Sequence, residues 1–297
     1  MKHFRADVWP YGRIIVLTSL AMAAFAGNSL LCRMALSETS IDAASFTSVR
    51  LISGAVMLWL VVKLRPGTYS GGGNWLSALA LFAYAAGFSF AYVSLPAATG
   101  ALLLFGAVQA TMIGYGIWTG ERMLKRQMVG LALALGGLVI LLLPGLSAPP
   151  MIGTTLMLIA GMAWGIYSVR GRGAGDPTQV TAGNFIRTVP MAVLLSLSMV
   201  TAASWDSAGI FYAVLSGALA YGLGYAIWYA ALPSLRATNA ATLQLSVPVI
   251  ASLGGVYILG EPFGLRLTVA TVAILGGIAL VVLTKRRSAP DGAATPR

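Results

Sequence analysis

Short polar clusters punctuate long uncharged stretches along this chain. Nineteen uncharged residues separate Arg13 from Arg33, 55 separate Arg65 from Glu121 and 43 separate Arg126 from Arg170. A further 29 lie between Asp206 and Arg236, 24 between Arg236 and Glu261, and 18 between Arg266 and Lys285. A helix crosses a bilayer core with about 20 apolar residues, so every stretch can hold a span. The two longest can each hold two. The first opens on Gly71-Gly72-Gly73-Asn74 and breaks at Leu95-Pro96, and the second breaks at Pro144-Gly145 and Pro149-Pro150, dipeptides at which helices end. Two more spans, near residues 43–64 and 181–203, are interrupted only by Arg50 and Arg187, close enough to the span starts for the side chains to snorkel. The expectation is ten transmembrane helices joined by short loops.

Composition agrees with this pattern. Hydrophobic residues make up 58% of the chain and charged residues 9%, against about 25% charged in an ordinary globular domain, so most of the surface must face lipid. Such a chain is too apolar to be disordered, and its one cysteine, Cys32, excludes a disulfide scaffold. A net charge of +11 would point to nucleic acid if it lay on a solvated face. Here position decides otherwise. With loops assigned to alternate sides, 15 of the 19 Lys and Arg residues fall on the side of the N-terminus, while Arg33 and Arg266 fall on the other, and Arg50 and Arg187 lie just inside their spans. The positive-inside rule then puts both termini in the cytoplasm. The expected partners are lipid and a small-molecule substrate, not nucleic acid. The first apolar stretch, from Ile14, is long enough to span and lacks a clear cleavage site, so it reads as a retained span. Residues 1–13 form a cytoplasmic segment, and residues 285–297, rich in charge, Pro, Ser and Gly, a disordered cytoplasmic tail.

The chain also repeats itself. Tyr92-Val93-Ser94-Leu95-Pro96 is echoed by Tyr229-Ala230-Ala231-Leu232-Pro233. Gly120-Glu121, Arg126 and Gly136-Gly137 return as Gly260-Glu261, Arg266 and Gly276-Gly277, with about one helical turn inserted near Ser234 to Arg236. Upstream, Phe25 and Arg33 match Trp164 and Arg172, and Arg50 matches Arg187. The halves, 14–143 and 150–284, hold five spans each. An odd number sends the second half into the membrane from the opposite side, which makes an inverted repeat, a transporter architecture with its substrate site near the midplane.

These residues resemble the EamA-type branch of the drug/metabolite transporter superfamily. The Gly-Glu turns at 120–121 and 260–261 are followed by Gly-rich helices carrying Gly130, Gly136 and Gly137, or Gly276 and Gly277. The family's proline 13 residues before the Glu is Pro248 in the second half, whereas the first half has Val108. The resemblance covers residues 14–284. It implies an all-α integral membrane protein with two inverted five-helix repeats (the 5+5 fold), in a bacterial inner membrane. The aromatic-rich spans look like those of the YddG-type aromatic amino-acid exporters, which would imply outward movement of Phe, Tyr, Trp and other neutral amino acids by alternating access.

Candidate substrate residues are the polar and aromatic side chains within the spans. Tyr84, Phe88 and Tyr92 lie on one helix face, as do Tyr221, Tyr225 and Trp228 or Tyr229; such stripes also pack helices or anchor interfaces. Mid-span Tyr84, Phe88 and Tyr225 escape the anchor explanation. Phe25 and Asn28 sit at positions equivalent to Trp164 and Tyr167 and would face them across the repeat axis. Gln109 and Gln244 are uncharged hydrogen-bonding groups that either bridge helices or hold the polar end of a zwitterion. Glu121 and Glu261 are expected to cap a helix or pair with a nearby Arg. Arg33, Arg50, Arg172 and Arg187 would set depth, the alternative being contact with a carboxylate substrate.

No Asp, Glu or His falls inside a span, which removes the usual proton relay and favours facilitated movement down a gradient. The same absence leaves no way to assemble a serine, metal or aspartyl catalytic centre, and no phosphate-binding loop is present. No enzyme activity, metal or cofactor is therefore expected, and one chain can enclose the path as a monomer. Two alternatives remain: a carrier of another metabolite or drug on this fold, including proton-coupled efflux, and a receptor-like protein that transports nothing. Cysteines introduced at Gly120 and at Gly260 are expected to react with a membrane-impermeant maleimide from opposite sides of the membrane. Labelling of both from one side contradicts the inverted repeat.

Overall fold

A computed structural model of the chain describes residues 8–65, 72–120, 123–143, 148–171, 175–231, 243–244 and 246–283, without the side chains of 8–11, 229, 282 and 283. Glu121, Arg122, Arg172, Arg236, the breaks at Pro144-Gly145 and Leu232-Pro233, and the two chain ends lie outside the described residues. No strand occurs among the described residues. The helices are α1 (Val8–Glu38), α2 (Ala43–Leu64), α3 (Trp75–Tyr92), α4 (Ala97–Trp118), α5 (Lys125–Leu142), α6 (Met151–Arg170) and α7 (Pro177–Ser198). Then comes α8, a continuous run of Ser207–Val214, a π-helical segment Leu215–Leu223 and Gly224–Ala231. The last are α9 (Ser246–Leu259) and α10 (Leu265–Leu283).

Helix starts coincide with short polar residues. Asp42 accepts hydrogen bonds from the Ala44 and Ser45 N–H groups, Asn74 from Ser77, Asp176 from Gln179 and Asp206 from Gly209. Each satisfies amides at a helix start that have no intrahelical acceptor. Because Asp176 caps it, α7 begins at Pro177 rather than near 181, and Arg187 lies about a turn deeper in the helix than expected. Arg187 is half-buried. Its Nη1 donates to the Gly72 carbonyl (3.0 Å) and the Gly183 carbonyl (2.8 Å), fastening the segment before α3 to α7. Gly120 and Gly260 follow α4 and α9 with φ of +92° and +63°, the left-handed conformation that a helix-ending glycine adopts without a Cβ clash.

By length and composition, α1 to α8 are apolar enough to cross a membrane, and α9 and α10 are shorter apolar helices. Large apolar side chains such as Trp59, Leu79, Leu133, Val139, Leu194 and Val272 stand exposed on the bundle. Apolar surface on this scale is the signature of a lipid-facing exterior.

Inside, α2 packs along α7 and α5 along α10; α3 and α4 pack on α6, α8 and α9 on α1, α8 on α2 and α3 on α7. The α5–α10 contact is very close: a methyl group on Gly130 or on Gly277 would run into the other's carbonyl oxygen. Small residues at a crossing allow this approach, which lipid-embedded helices use in place of a hydrophobic driving force.

Asp42 ties two loops together. Its second oxygen accepts from the Ser204 N–H (2.9 Å), and its own N–H donates to the Ser204 carbonyl (3.3 Å). Burial pushes this carboxyl up, but hydrogen bonds from Ser45, Ser204 and Ala44 outweigh burial and hold it below the usual carboxylate range. A carboxyl lowered in this way stabilises the folded state above its unfolded value, and the contribution is lost as pH falls through the lowered one. Asp42→Ala is expected to cost about 1–2 kcal/mol at neutral pH. In thermal unfolding of the purified protein, the gap between parent and variant should close on acidification below about pH 4. A gap that is unchanged at the acid end rejects this account.

A ring-lined cavity as the candidate functional site

Five helices and the residues ahead of α9 converge on a small central cavity. Phe25, Asn28 and Ser29 come from α1, Tyr84 and Phe88 from α3, and Leu104, Phe105 and Val108 from α4. Trp164 comes from α6, Ala220, Tyr221 and Tyr225 from α8, and Gln244 completes the wall. None of these lining side chains is charged.

Helical spacing sets the rings in order. Tyr84 with Phe88, and Tyr221 with Tyr225, are pairs four residues apart that share a face. Trp164 bridges the two stripes, its ring centre 4.9 Å from Tyr84 and 5.5 Å from Tyr225. Tyr84 lies 5.5 Å from Phe88 and 6.0 Å, edge-on, from Tyr221, which stacks on Tyr225 at 5.8 Å. Phe25 leans on the Tyr225 ring at 5.5 Å. Ring pairs at these separations contribute about 0.5–1.5 kcal/mol each beyond burial, so every ring fixes the pose of the next. The polar wall is thinner. Asn28 is buried, and its Oδ1 accepts from Ser216 Oγ (2.7 Å) in the π-helical segment of α8.

Of the residues singled out from the sequence, Phe25, Asn28, Tyr84, Phe88, Trp164, Tyr225 and Gln244 stand around this one cavity. Tyr167 does not line it. Its ring stacks on Trp164 at 5.3 Å and its hydroxyl accepts from Asn184 Nδ2 (3.4 Å), so it props the tryptophan. Gln109 lines a separate hollow with Gly106, Leu138 and Ile278, between α4, α5 and α10. Leu104 and Val108, one turn apart, face the cavity, and Gln109 is turned about 100° beyond Val108. Ser29, Leu104, Phe105, Val108 and Ala220 also line the cavity. As small or apolar residues in apolar helices they carry no distinguishing sequence signal. Tyr221 was visible only as a member of its stripe.

Two arginines mark the surroundings. Arg33 Nε pairs with Glu261 Oε1 at 3.0 Å, and Arg33 Nη1 donates to the Tyr92 (3.0 Å) and Val93 (3.2 Å) carbonyls where α3 ends. Glu261 Oε2 accepts from the Ala97 N–H (2.7 Å) where α4 begins. Cation and anion therefore each sit at the helix end whose dipole they complement, and the pair clasps α1, the α3–α4 turn and the α9–α10 turn together. Their repeat equivalents, Arg172 and Glu121, lie outside the described residues. Arg50 corrects the expectation of snorkelling: it is 0% exposed, deep among α2, α3 and α8. Phe46, Phe88 and Tyr221 lie around it.

A lipid-facing helical bundle around a ring-lined cavity is the build of a multi-pass membrane protein. Residues 151–283 match the EamA-like transporter family. An uncharacterized protein of Pseudomonas aeruginosa is 57% identical over 287 residues, which is 96% of this chain and 100% of that protein. An uncharacterized transporter of Archaeoglobus fulgidus is 26% identical over 282 residues, covering 89% of this chain and 96% of its own length. A protein of known crystal structure, 19% identical, superposes with a TM-score of 0.64 over 90% of this chain and 98% of its own, a likeness of fold. Over residues 151–283, then, the chain is EamA-like.

The clasp makes a direct prediction. Arg33→Met and Glu261→Gln should each destabilise the purified protein, because each leaves the other charge half-buried and unpaired. The double variant should lose less than the sum, by about 1–3 kcal/mol in a double-mutant cycle of unfolding free energies. Strict additivity rejects the clasp as a coupled unit.

Proposed function

We propose that this chain is a secondary transporter that moves amino acids, aromatic ones preferred, out of the cell by alternating access. Its architecture is two inverted five-helix repeats, 14–143 and 150–284, giving ten spans with both termini cytoplasmic in a bacterial inner membrane. The observation that carries the reading is the uncharged cavity walled by Phe25, Tyr84, Phe88, Trp164, Tyr221 and Tyr225. Such a wall suits a flat apolar ring, while Asn28 and Gln244 offer hydrogen bonds to its polar end.

The helix contacts support the duplication. Exchanging each helix with the one five places on turns the α3–α6 contact into α8–α1, α4–α6 into α9–α1 and α3–α7 into α8–α2, and returns α2–α7 and α5–α10 to themselves. All of these contacts join one half to the other, as rocking halves require. The distribution of Lys and Arg supports the orientation. On that topology the Arg33–Glu261 clasp holds the outer side closed, and its release belongs to the outward-opening step. Since no acid or histidine lies within the spans, the movement is facilitative and the functional unit is one chain.

Reconstitution in liposomes tests this. Flux of Phe and Trp should exceed that of Leu, Glu and a nucleotide sugar, and should persist when a protonophore collapses the proton gradient at fixed substrate gradient. Alanine at Tyr84, Phe88, Trp164 or Gln244 should lower Phe flux about tenfold or more, the loss of about 1.4 kcal/mol of recognition, while lipid-facing Val139→Ala leaves it unchanged. Preference for the nucleotide sugar, or arrest by the protonophore, overturns the reading.

A further inference from the structure

Arg50 is the group that the cavity's own wall leaves unexplained. It is fully buried, and its Nη2 donates to the Ala85 carbonyl at 2.6 Å. Its guanidinium carbon lies 5.1 Å from the ring centres of Phe88 and of Tyr221, and 5.4 Å from that of Phe46. Nε and Nη1 make no hydrogen bond to any described residue. Among the described residues the ion pair is Arg33–Glu261, so Arg50 has no counter-ion there. The titratable side chains in its field, Cys32, Tyr84 and Tyr221, include no carboxylate. An arginine at such depth is costly unless an anion answers it, and ring faces supply only part of that answer.

The position of this charge indicates where its anion arrives. Phe88 and Tyr221 screen the guanidinium, and both are walls of the central cavity, so the free donors lie directly behind the substrate site. Tyr221 belongs to the π-helical segment of α8, a form of helix concentrated at functional sites. That segment is seated on Arg50 itself: Gly217 packs so closely that a methyl group there would run into the Arg50 carbonyl oxygen and Ser53 Oγ.

We propose that Arg50 is the anion anchor of the cavity, binding the carboxylate of a ligand with an aromatic or apolar body, which reaches Nε and Nη1 as the Phe88 and Tyr221 rings swing aside. The proposal deepens the transport reading and rests on its placing of the substrate in this cavity. It divides ligands by charge: carboxylates and zwitterions are accepted, and cations of the same shape are refused.

Calorimetric titration of the purified full chain tests it with four probes: L-phenylalanine, 3-phenylpropionate, L-phenylalaninamide and phenethylamine. The first two should bind about 10- to 100-fold more tightly than the last two, the range expected for hydrogen bonds to a charged group. Arg50→Met should erase that difference by weakening the carboxylates alone, and Arg50→Lys should keep part of it. Equal affinity for acids and amines in the parent protein, no binding of either carboxylate, or a loss in Arg50→Met that is the same for both classes overturns the anchor. Should Arg50→Met not fold, the parent's selectivity and Arg50→Lys still decide. Vesicle flux separates the two readings. Carboxylate binding without flux would remove transport and leave the anchor, whereas unchanged L-phenylalanine flux in Arg50→Met would remove the anchor and leave transport.

Discussion

Hydrocarbon supplies no hydrogen bonds, so every polar group carried into the bundle must find its partner within the protein. Much of the structure follows from meeting that demand. Asp42, Asn74, Asp176 and Asp206 occupy helix starts, where their oxygens take up amides that lipid would leave bare. Arg187 is held by the Gly72 and Gly183 carbonyls, and Arg33 and Glu261 complete each other while capping two helix ends. Arg50 stands apart, because two of its nitrogens meet no acceptor among the described residues.

The cavity is shaped by the same economy. Close helix crossings come from small residues, as where Gly130 meets Gly277, or where Gly161 of α6 lies against Ala107 and the Leu104 carbonyl of α4. At the centre, bulky rings hold the helices apart and enclose space. Trp164 touches rings from both stripes, so the wall is a connected network in which moving one ring disturbs its neighbours. The π-helical stretch of α8 lets Ser216, Tyr221 and Tyr225 all address the interior, with Ser216 bonded to Asn28 across to α1.

Phe25 of α1 and Trp164 of α6 each lean on Tyr225 from their own helix. Their surroundings are not matched. Trp164 has Tyr167 stacked behind it, while the residue three places after Phe25, Asn28, turns to Ser216. The cavity wall is thus chemically lopsided, mostly rings with a hydrogen-bonding corner at Asn28.

Helix positions were legible along the chain because they follow from local physics: charge spacing and Pro and Gly breaks suffice to mark α2 near Ala43–Leu64 and the break between α3 and α4. Aromatic spacing along α3 and α8 was legible too, since four residues make about one turn wherever the helix lies. Depth and facing were not. Whether Arg50 would reach water, whether Gln109 would face the centre or α5 and α10, and whether Tyr167 would line the cavity or support Trp164 all depend on which helix stands opposite. Long-range packing alone decides that.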